Sequence, residues 1–528
     1  MKLLTTFETI CAECPDYLRD ESRVTAAALD AIAWPESEED IAVALQTARA
    51  NGWGVTVSAA RTGICGAAVP LTGGMVLSLE KLNAILGIGY DEQAREWFMT
   101  AQPGVTLQEI SDCLQARQFG NHTAHWPAAA LAALERLRRE NVALFYPPVV
   151  TEMTAALGGT VATNASGARS FKYGATRAWI RRLRVALADG SFLDLRRGGL
   201  RADESNTITI SRPTRPDIVI ALPTYTLPRT KHVAGYYVAP RMELLDLFIG
   251  SEGTLGIVTE VEIRLMIREK ELFGVTTFFR AESDAVEFAA VLRNAARAKL
   301  LDIESIEFAG ERTLRLLRQR RAEGDNKVPE IPAAAAALCY EIAFRPETMD
   351  AEYAVLENYL QCAGVAPEHV WAGTTPAEIQ SMKQFRHAIP EAVNQIVAER
   401  KRSIPALHKI ATDLAVPDEH LAPMLEHYRA TLDAAGLEYY IFGHIGDNHL
   451  HVNMVPRDEA ELARAKEFYR AFAVKAVALG GTVSAEHGIG KLKREFLKIM
   501  FGEQGIAEMK AVKRALDPAG ILGPGTLF

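Results

Sequence analysis

Two short segments, GHIGDNHLHVN at 443–453 and AEHGIGK at 485–491, hold four of the chain's twelve histidines together with Glu486 and Asn453. Glycines flank them, and glycine lets backbone approach a bound group closely. Imidazole and carboxylate ligate borderline divalent ions. His444, His451 and Glu486 therefore predict a His, His and carboxylate set for a divalent metal, zinc first with Mn or Fe as the other options, and with one coordination position open. His487, next in sequence, reads as a base rather than a ligand. The elements that would position them follow from the pattern: 439–442 is a strand ending at His444, and 446–448 a turn. His449, His451 and Asn453 then alternate with Leu450 and Val452, so three polar side chains share a face and His444 can meet His451 across the turn. A single histidine of this kind is an ordinary hydrogen-bonded residue; convergence of several groups marks a site.

A loop rich in Gly and Ala, ARTGICGAAVP at 60–70, lies between β runs and can turn successive N–H groups onto an anionic phosphate. It is neither a dinucleotide GxGxxG nor a P-loop. Small residues crowd 146–180 and again 249–265, which places something large against the backbone there. Arg386 in FRHAIPEAVN offers a planar fork and Lys409 in HKIATDLAVP a compact charge, so the pair can hold an acid substrate.

At 528 residues the chain exceeds one ordinary core and predicts two or three domains. A net charge of −8 argues against nucleic acid as a partner. No long apolar run opens the chain or is long enough to span a bilayer, so a cytoplasmic protein is expected, at most peripheral to a membrane's inner face. Six cysteines, four of them scattered, read as reduced thiols; the lone CxxC of Cys11 and Cys14 has no second pair beside it. Residues 1–35 read as a helical lead-in. A helix from Ser37 with Asp40 at its cap, a hairpin across Asp189 and Gly190, and an inserted amphipathic helix at 122–141 follow. After Arg268 strands alternate with amphipathic helices, which marks a second domain. Ala333 to Ala337 reads as a linker, and the arginines at 312, 315, 318, 320 and 321 as a basic, solvated helix face.

RTGICGAAVP, LGGTVATNASGARSFKYG, IGSEGTLGIVTE, GHIGDNHLHVN, SAEHGIGKLKREF and LDPAGILGPGTLF, in this order over nearly the whole chain, resemble the FAD-linked D-2-hydroxy acid dehydrogenases. This is the branch of D-lactate dehydrogenase, D-2-hydroxyglutarate dehydrogenase and the glycolate oxidase catalytic subunit, among flavoproteins of the vanillyl-alcohol oxidase and p-cresol methylhydroxylase type. The resemblance implies an α+β protein: a split FAD-binding domain of two α+β subdomains, and a substrate domain with an antiparallel sheet covered by helices. The boundaries expected are 1–35, 36–268 for the FAD domain, 269–490 for the substrate domain with the metal and base motifs, and 491–528 returning to the FAD domain.

By motif, Arg61, Thr62, Gly63, Ile64, Cys65, Gly66 and Ala67 would hold the FAD pyrophosphate. Leu157, Gly158, Thr160, Thr163, Asn164, Ser166, Gly253, Gly256 and Ile257 would line the rest of the cofactor. His444, His451 and Glu486 match the family's metal positions, His487 its base, Asn453 a place beside the substrate, and Arg386 and Lys409 the carboxylate-binding positions. Ala59 and Ala60 replace the glycines usual before the first loop. No histidine or cysteine stands in that loop at the position used for covalent flavin attachment in some relatives, so non-covalent FAD is implied. His449 stands where relatives commonly have Asn, as an extra polar contact or an alternative ligand. The implied reaction is metal-assisted oxidation of a small D-2-hydroxy acid to the 2-oxo acid, with hydride passing to flavin and electrons to a quinone, cytochrome or electron-transfer flavoprotein. A homodimer stays open. The alternatives are a flavoenzyme of the same fold acting on another alcohol or lactone, and a flavin-free metal-dependent hydrolase.

Overall fold

Strand-forming runs in the first hundred residues build a four-stranded sheet in the order Lys2–Thr5, Ala31–Trp34, Met75–Ser78, Val55–Ser58, antiparallel in the first pair and parallel in the others. The structure, a computed structural model, describes residues 1–148, 152–268, 270–325, 328–373 and 375–528. Part of the small-residue stretch at 146–180 and the expected boundary at 269 lie outside them. The inner strands are buried throughout and, Ser78 apart, apolar, because both faces are covered. Ile41, Ala44, Leu45 and Ala48 of the helix Glu38–Asn51 pack on one face, and Ser37 caps that helix by accepting the Asp40 N–H at 3.2 Å. On the other face Ile10, Tyr17 and Leu18 cover Ile32, Trp34 and Val76. The expected helical lead-in is thus only partly helical: Phe7–Glu13 is a helix, Pro15 opens a separate turn of 3₁₀ helix, and the two ends of the segment are strands of this sheet.

A second, antiparallel sheet runs Ile85–Asp91, Glu96–Ala101, Ile257–Ile267, Ile180–Ala186, Phe192–Arg196, with Leu144–Phe145 also paired to the central strand. The hairpin expected across Asp189 and Gly190 is its last pair. The insertion at 122–141 is not one helix: a 3₁₀ turn, Gly120–His125, is separated by Trp126 and Pro127 from the helix Ala128–Arg139. Proline disfavours helical backbone in the residue before it, and Trp126 instead buries its ring and donates its indole N–H to Ile85 O at 2.7 Å.

The third sheet has seven strands, all antiparallel, in the order Val370–Gly373, Glu271–Phe279, Ala336–Phe344, Ile303–Ala309, Tyr439–His444, His449–Met454, Ile410–Ala411. The helices Glu282–Arg297, Glu311–Ala322, Pro376–Ser403 and Leu421–Ala434 cover it. The expected alanine linker is in part a strand, since Ala336 and Ala337 lie fully buried opposite Phe279 and Phe278, where small side chains leave room for the rings. The basic helix face is internally paired: Arg312 with Asp433, Arg315 with Glu311 and Arg320 with Glu399. The chain's end returns to the first sheet, where the Val55 N–H donates to Ile521 O at 2.6 Å and the Gly523 N–H to Val55 O at 2.9 Å. The fold is therefore α+β, two subdomains with sheets of their own and a third unit whose antiparallel sheet is helix-covered.

Candidate active site

The hairpin Tyr439–His444 and His449–Met454 puts His444 directly opposite His449, with His451 two residues on along the same face. Its turn is a 3₁₀ segment, Ile445–Asp447, closed by Asn448 in the left-handed region that asparagine tolerates. Gly443 has φ 133°, and a Cβ there would stand 2.9 Å from His451 Cδ2, so no larger residue fits. Glu486 approaches from the later motif. Its Oε1 lies 3.3 Å from His444 Nε2 and 3.4 Å from His451 Nε2. One ligand atom each from His444, His449, His451 and Glu486 lie within 4.8 Å of one another.

The outer contacts aim these groups. His444 Nδ1 bonds Glu307 Oε1 at 2.6 Å and His451 Nδ1 bonds Thr412 O at 3.0 Å, which leaves both Nε2 atoms turned to the centre. Burial would raise the Glu307 carboxyl, but the His444 and Arg386 cations beside it hold it at about 2. Lys231 donates to Glu486 Oε2 at 2.7 Å. Asp413 fixes the motif's backbone: its carboxylate accepts from the N–H groups of Ala485, Glu486 and His487 at 3.1 to 3.2 Å, from the Ser484 hydroxyl at 2.5 Å and from Lys493 at 2.8 Å. His487 stacks on His451, ring centres 5.3 Å apart, with Nδ1 3.5 Å from Asp413 Oδ1. Burial pushes its imidazole down to about 4 against the pull of Asp413 and Glu486, which leaves the ring neutral.

Glu486 and His487 also line a cleft. Its walls are the loop residues Arg61, Thr62, Gly63, Ile64, Cys65 and Ala67, then Gly158, Thr160, Thr163 and Ser166, then Gly253, Gly256 and Ile257. Two families match the chain: "FAD binding domain" over residues 29–132 and 126–196, and "FAD linked oxidases, C-terminal domain" over 276–527. The chain belongs to the FAD-linked oxidases. It is 27% identical to the D-2-hydroxyglutarate dehydrogenase of Stutzerimonas stutzeri, over 100% of this chain and 96% of that one. It is equally identical to glycolate oxidase subunit GlcD of Bacillus subtilis, covering 94% and 89%, and to a D-lactate dehydrogenase of Anaerostipes hadrus, covering 97% and 92%. An alkyldihydroxyacetonephosphate synthase structure shares the fold, with a TM-score of 0.60 at 16% identity over 95% of this chain and 78% of the other.

The residues fit the cofactor and an ion on their own terms. Ser58 Oγ, Ser166 Oγ and Asp20 Oδ2 all belong to side chains lining the cleft, are buried, and have no hydrogen-bond partner among the described residues, a condition that a polar ligand relieves. His449 Nδ1, likewise buried and unpartnered, lies 3.8 Å from Glu486 Oε2. Three imidazoles and a carboxylate are a donor set for zinc or a neighbouring divalent ion.

Not every expected residue faces its site. Leu157 is a core residue with its N–H on Val105 O, Gly66 is absent from the cleft wall, and Asn164 accepts the Arg177 N–H and borders separate cavities with Tyr237. Asn453 is 2% exposed and donates to His451 O at 3.3 Å. Arg386, on the helix Pro376–Ser403, stands in the field of Glu307, whereas the charge beside Lys409 is Arg23. Sequence reading missed Asp413, Lys231, Glu307 and Asp20. Asp413 lay within the ATDLAVP run already singled out; the others belong to no motif and come together through distant parts of the chain.

Proposed function

We propose that this chain oxidises a small D-2-hydroxy acid of the D-lactate kind to the 2-oxo acid, with non-covalent FAD and a divalent ion, zinc first, as its resident groups. The observation that carries this reading is that Glu486 and His487 line the same cleft as Arg61, Thr62, Gly63, Ile64 and Cys65 of the loop expected to hold FAD. The names of relatives that cover nearly the whole chain support the substrate class. When bound, FAD supplies a two-electron acceptor for the substrate's Cα hydride and the ion a Lewis acid for its hydroxyl. The residues do the rest. His487 accepts the hydroxyl proton, and the Asp413 carboxylate 3.5 Å from its Nδ1 steadies the imidazolium that results. Arg386 holds the substrate carboxylate and Asn453 supports the adjoining strand face. His444, His449, His451 and Glu486 would hold the ion, oriented by Glu307, Thr412 and Lys231.

Electrons then leave to a separate acceptor, a quinone, a cytochrome or an electron-transfer flavoprotein. No helix among the described residues is long and apolar enough to cross a membrane, and we place the protein in the cytoplasm, at most peripheral to the membrane. We divide the chain at 35, 268 and 490, with 491–528 part of the FAD domain. The test is an anaerobic titration of the flavin absorption band with D- and L-2-hydroxy acids. Bleaching by one D-acid is expected. A yellow protein bleached by none would remove the substrate class, and flavin reduction unaffected by a chelator would remove the ion.

A further inference from the structure

The first thirty residues lie almost wholly outside both family matches, which begin at residue 29, yet they reach the cofactor cleft. Asp20 lines that cleft and is 7% exposed. Its Oδ1 accepts the Ser22 N–H at 2.9 Å, while Oδ2 has no partner among the described residues. The segment is fastened onto the cofactor loop on both sides. The Glu21 N–H donates to Arg61 O at 3.3 Å, and the Arg61 guanidinium sits 4.2 Å from the centre of the Tyr17 ring. Ser22 Oγ lies 3.6 Å from where a Cβ on Gly66 would stand.

Leaving a buried carboxylate oxygen without a donor is costly, and an ionised carboxylate can only accept. The pyrophosphate of FAD offers no donor and repels a carboxylate; the loop N–H groups and the hydroxyls of Ser58 and Ser166 suit it instead. On the FAD reading the flavin ring lies toward the base motif, where Cys65 donates its thiol to His487 O at 3.2 Å. Asp20 is joined to the loop at Arg61 and beside Gly66, and of the groups FAD carries, the hydroxyls of its ribityl chain are donors that such an oxygen can accept from.

We propose that Asp20 is a cofactor-binding residue whose Oδ2 accepts a hydrogen bond from a ribityl hydroxyl of FAD, so that residues 17–22 are a strap over the middle of the cofactor. This rests on the FAD reading of the cleft and goes beyond the residues the motifs assign. Lys491 donates to Val69 O; burial raises the Asp20 carboxyl above its ordinary value, and the hydrogen bonds from Ser22 and the Lys491 charge oppose that rise.

The test measures FAD and ADP affinity of the deflavinated full-length chain, wild type against Asp20→Ala. ADP carries only the adenine and pyrophosphate half. Loss of a hydrogen bond to a charged acceptor should weaken FAD about tenfold and leave ADP unchanged. Asp20→Asn, which keeps the shape and one acceptor oxygen, should lose FAD affinity less than alanine does, again with ADP unchanged; it serves if the alanine variant fails to fold. FAD affinity equal to wild type in the variant tested overturns the proposal, and so does an equal loss for FAD and ADP, which would put the contact on the other half of the cofactor. A wild-type chain that binds ADP but gains nothing from the flavin half would instead defeat the FAD reading itself.

Discussion

At the scale of single residues, the most informative group is one outside the motifs. Glu307 bonds His444 Nδ1, and so fixes which nitrogen of that ring faces the cluster. Outer carboxylates of this kind typically govern ligand basicity and orientation. Glu307→Gln should therefore weaken zinc binding by roughly 10- to 100-fold while FAD content stays at the wild-type level, as read by equilibrium dialysis and flavin absorbance. Zinc affinity equal to wild type would mean that His444 is not held through Glu307. Asp413 shows the same logic for the base: five donors converge on one carboxylate, so the geometry of His487 is set by a residue 74 positions earlier.

At the scale of elements, the hairpin is the unit that makes the cluster. Its register pairs His444 with His449, and a one-residue slip would turn the imidazoles to the other face. Gly443→Ala should displace His451, because the added carbon falls 2.9 Å from its ring in a backbone region that favours glycine. We expect at least a tenfold loss of metal affinity with the far-ultraviolet circular dichroism unchanged; retained affinity would show that the strand absorbs the strain. The other hairpin offers a pH test. Burial would raise the Asp189 carboxyl, yet the Ser191 hydroxyl and N–H, with Arg215 and Arg212, hold it at about 2, below its ordinary 3.8. A depressed folded-state value stabilises the fold above the unfolded value and is lost as pH falls through the folded one. Asp189→Asn should thus lower the urea midpoint at neutral pH, with the gap to wild type closing between pH 3.8 and about 2. A gap independent of pH would assign the effect to turn shape alone.

For the whole molecule, the site is shared among distant stretches of chain. Glu252, in the cleft wall, accepts the N–H groups of Ile489 and Gly490 at 2.8 and 2.7 Å, tying the cofactor side to the base motif. The last residues close the same circuit, since the Leu527 N–H donates to Gly490 O and Ile521 and Leu522 pack against the first sheet. Deleting residues 518–528 would remove the buried aliphatic side chains of Ile521, Leu522 and Leu527 and cost about 5 kcal/mol or more, a large part of an ordinary domain's net stability. We expect poor solubility and loss of bound FAD. A truncated chain with an unchanged urea midpoint would contradict this account of the terminus.

The amino-acid sequence by itself determined the chemistry and the local frame. The alternation of His449, His451 and Asn453 and the turn at Asn448 are short-range, and most of the loop at 61–67 and the small residues at 158–166 face the cleft as their composition implied. Period-two patterning and glycine placement act over a few residues, so they can be read without a fold. Lys231 meeting Glu486 across 255 positions and Glu307 meeting His444 across 137 could not be, because their partners lie on other elements and no periodicity records them. Nor could the burial of Asn453 against its own strand or the reach of Asp20 into the cleft. Only the packing of sheets and helices, which is set by apolar area removed from water across the whole chain, decided those distances.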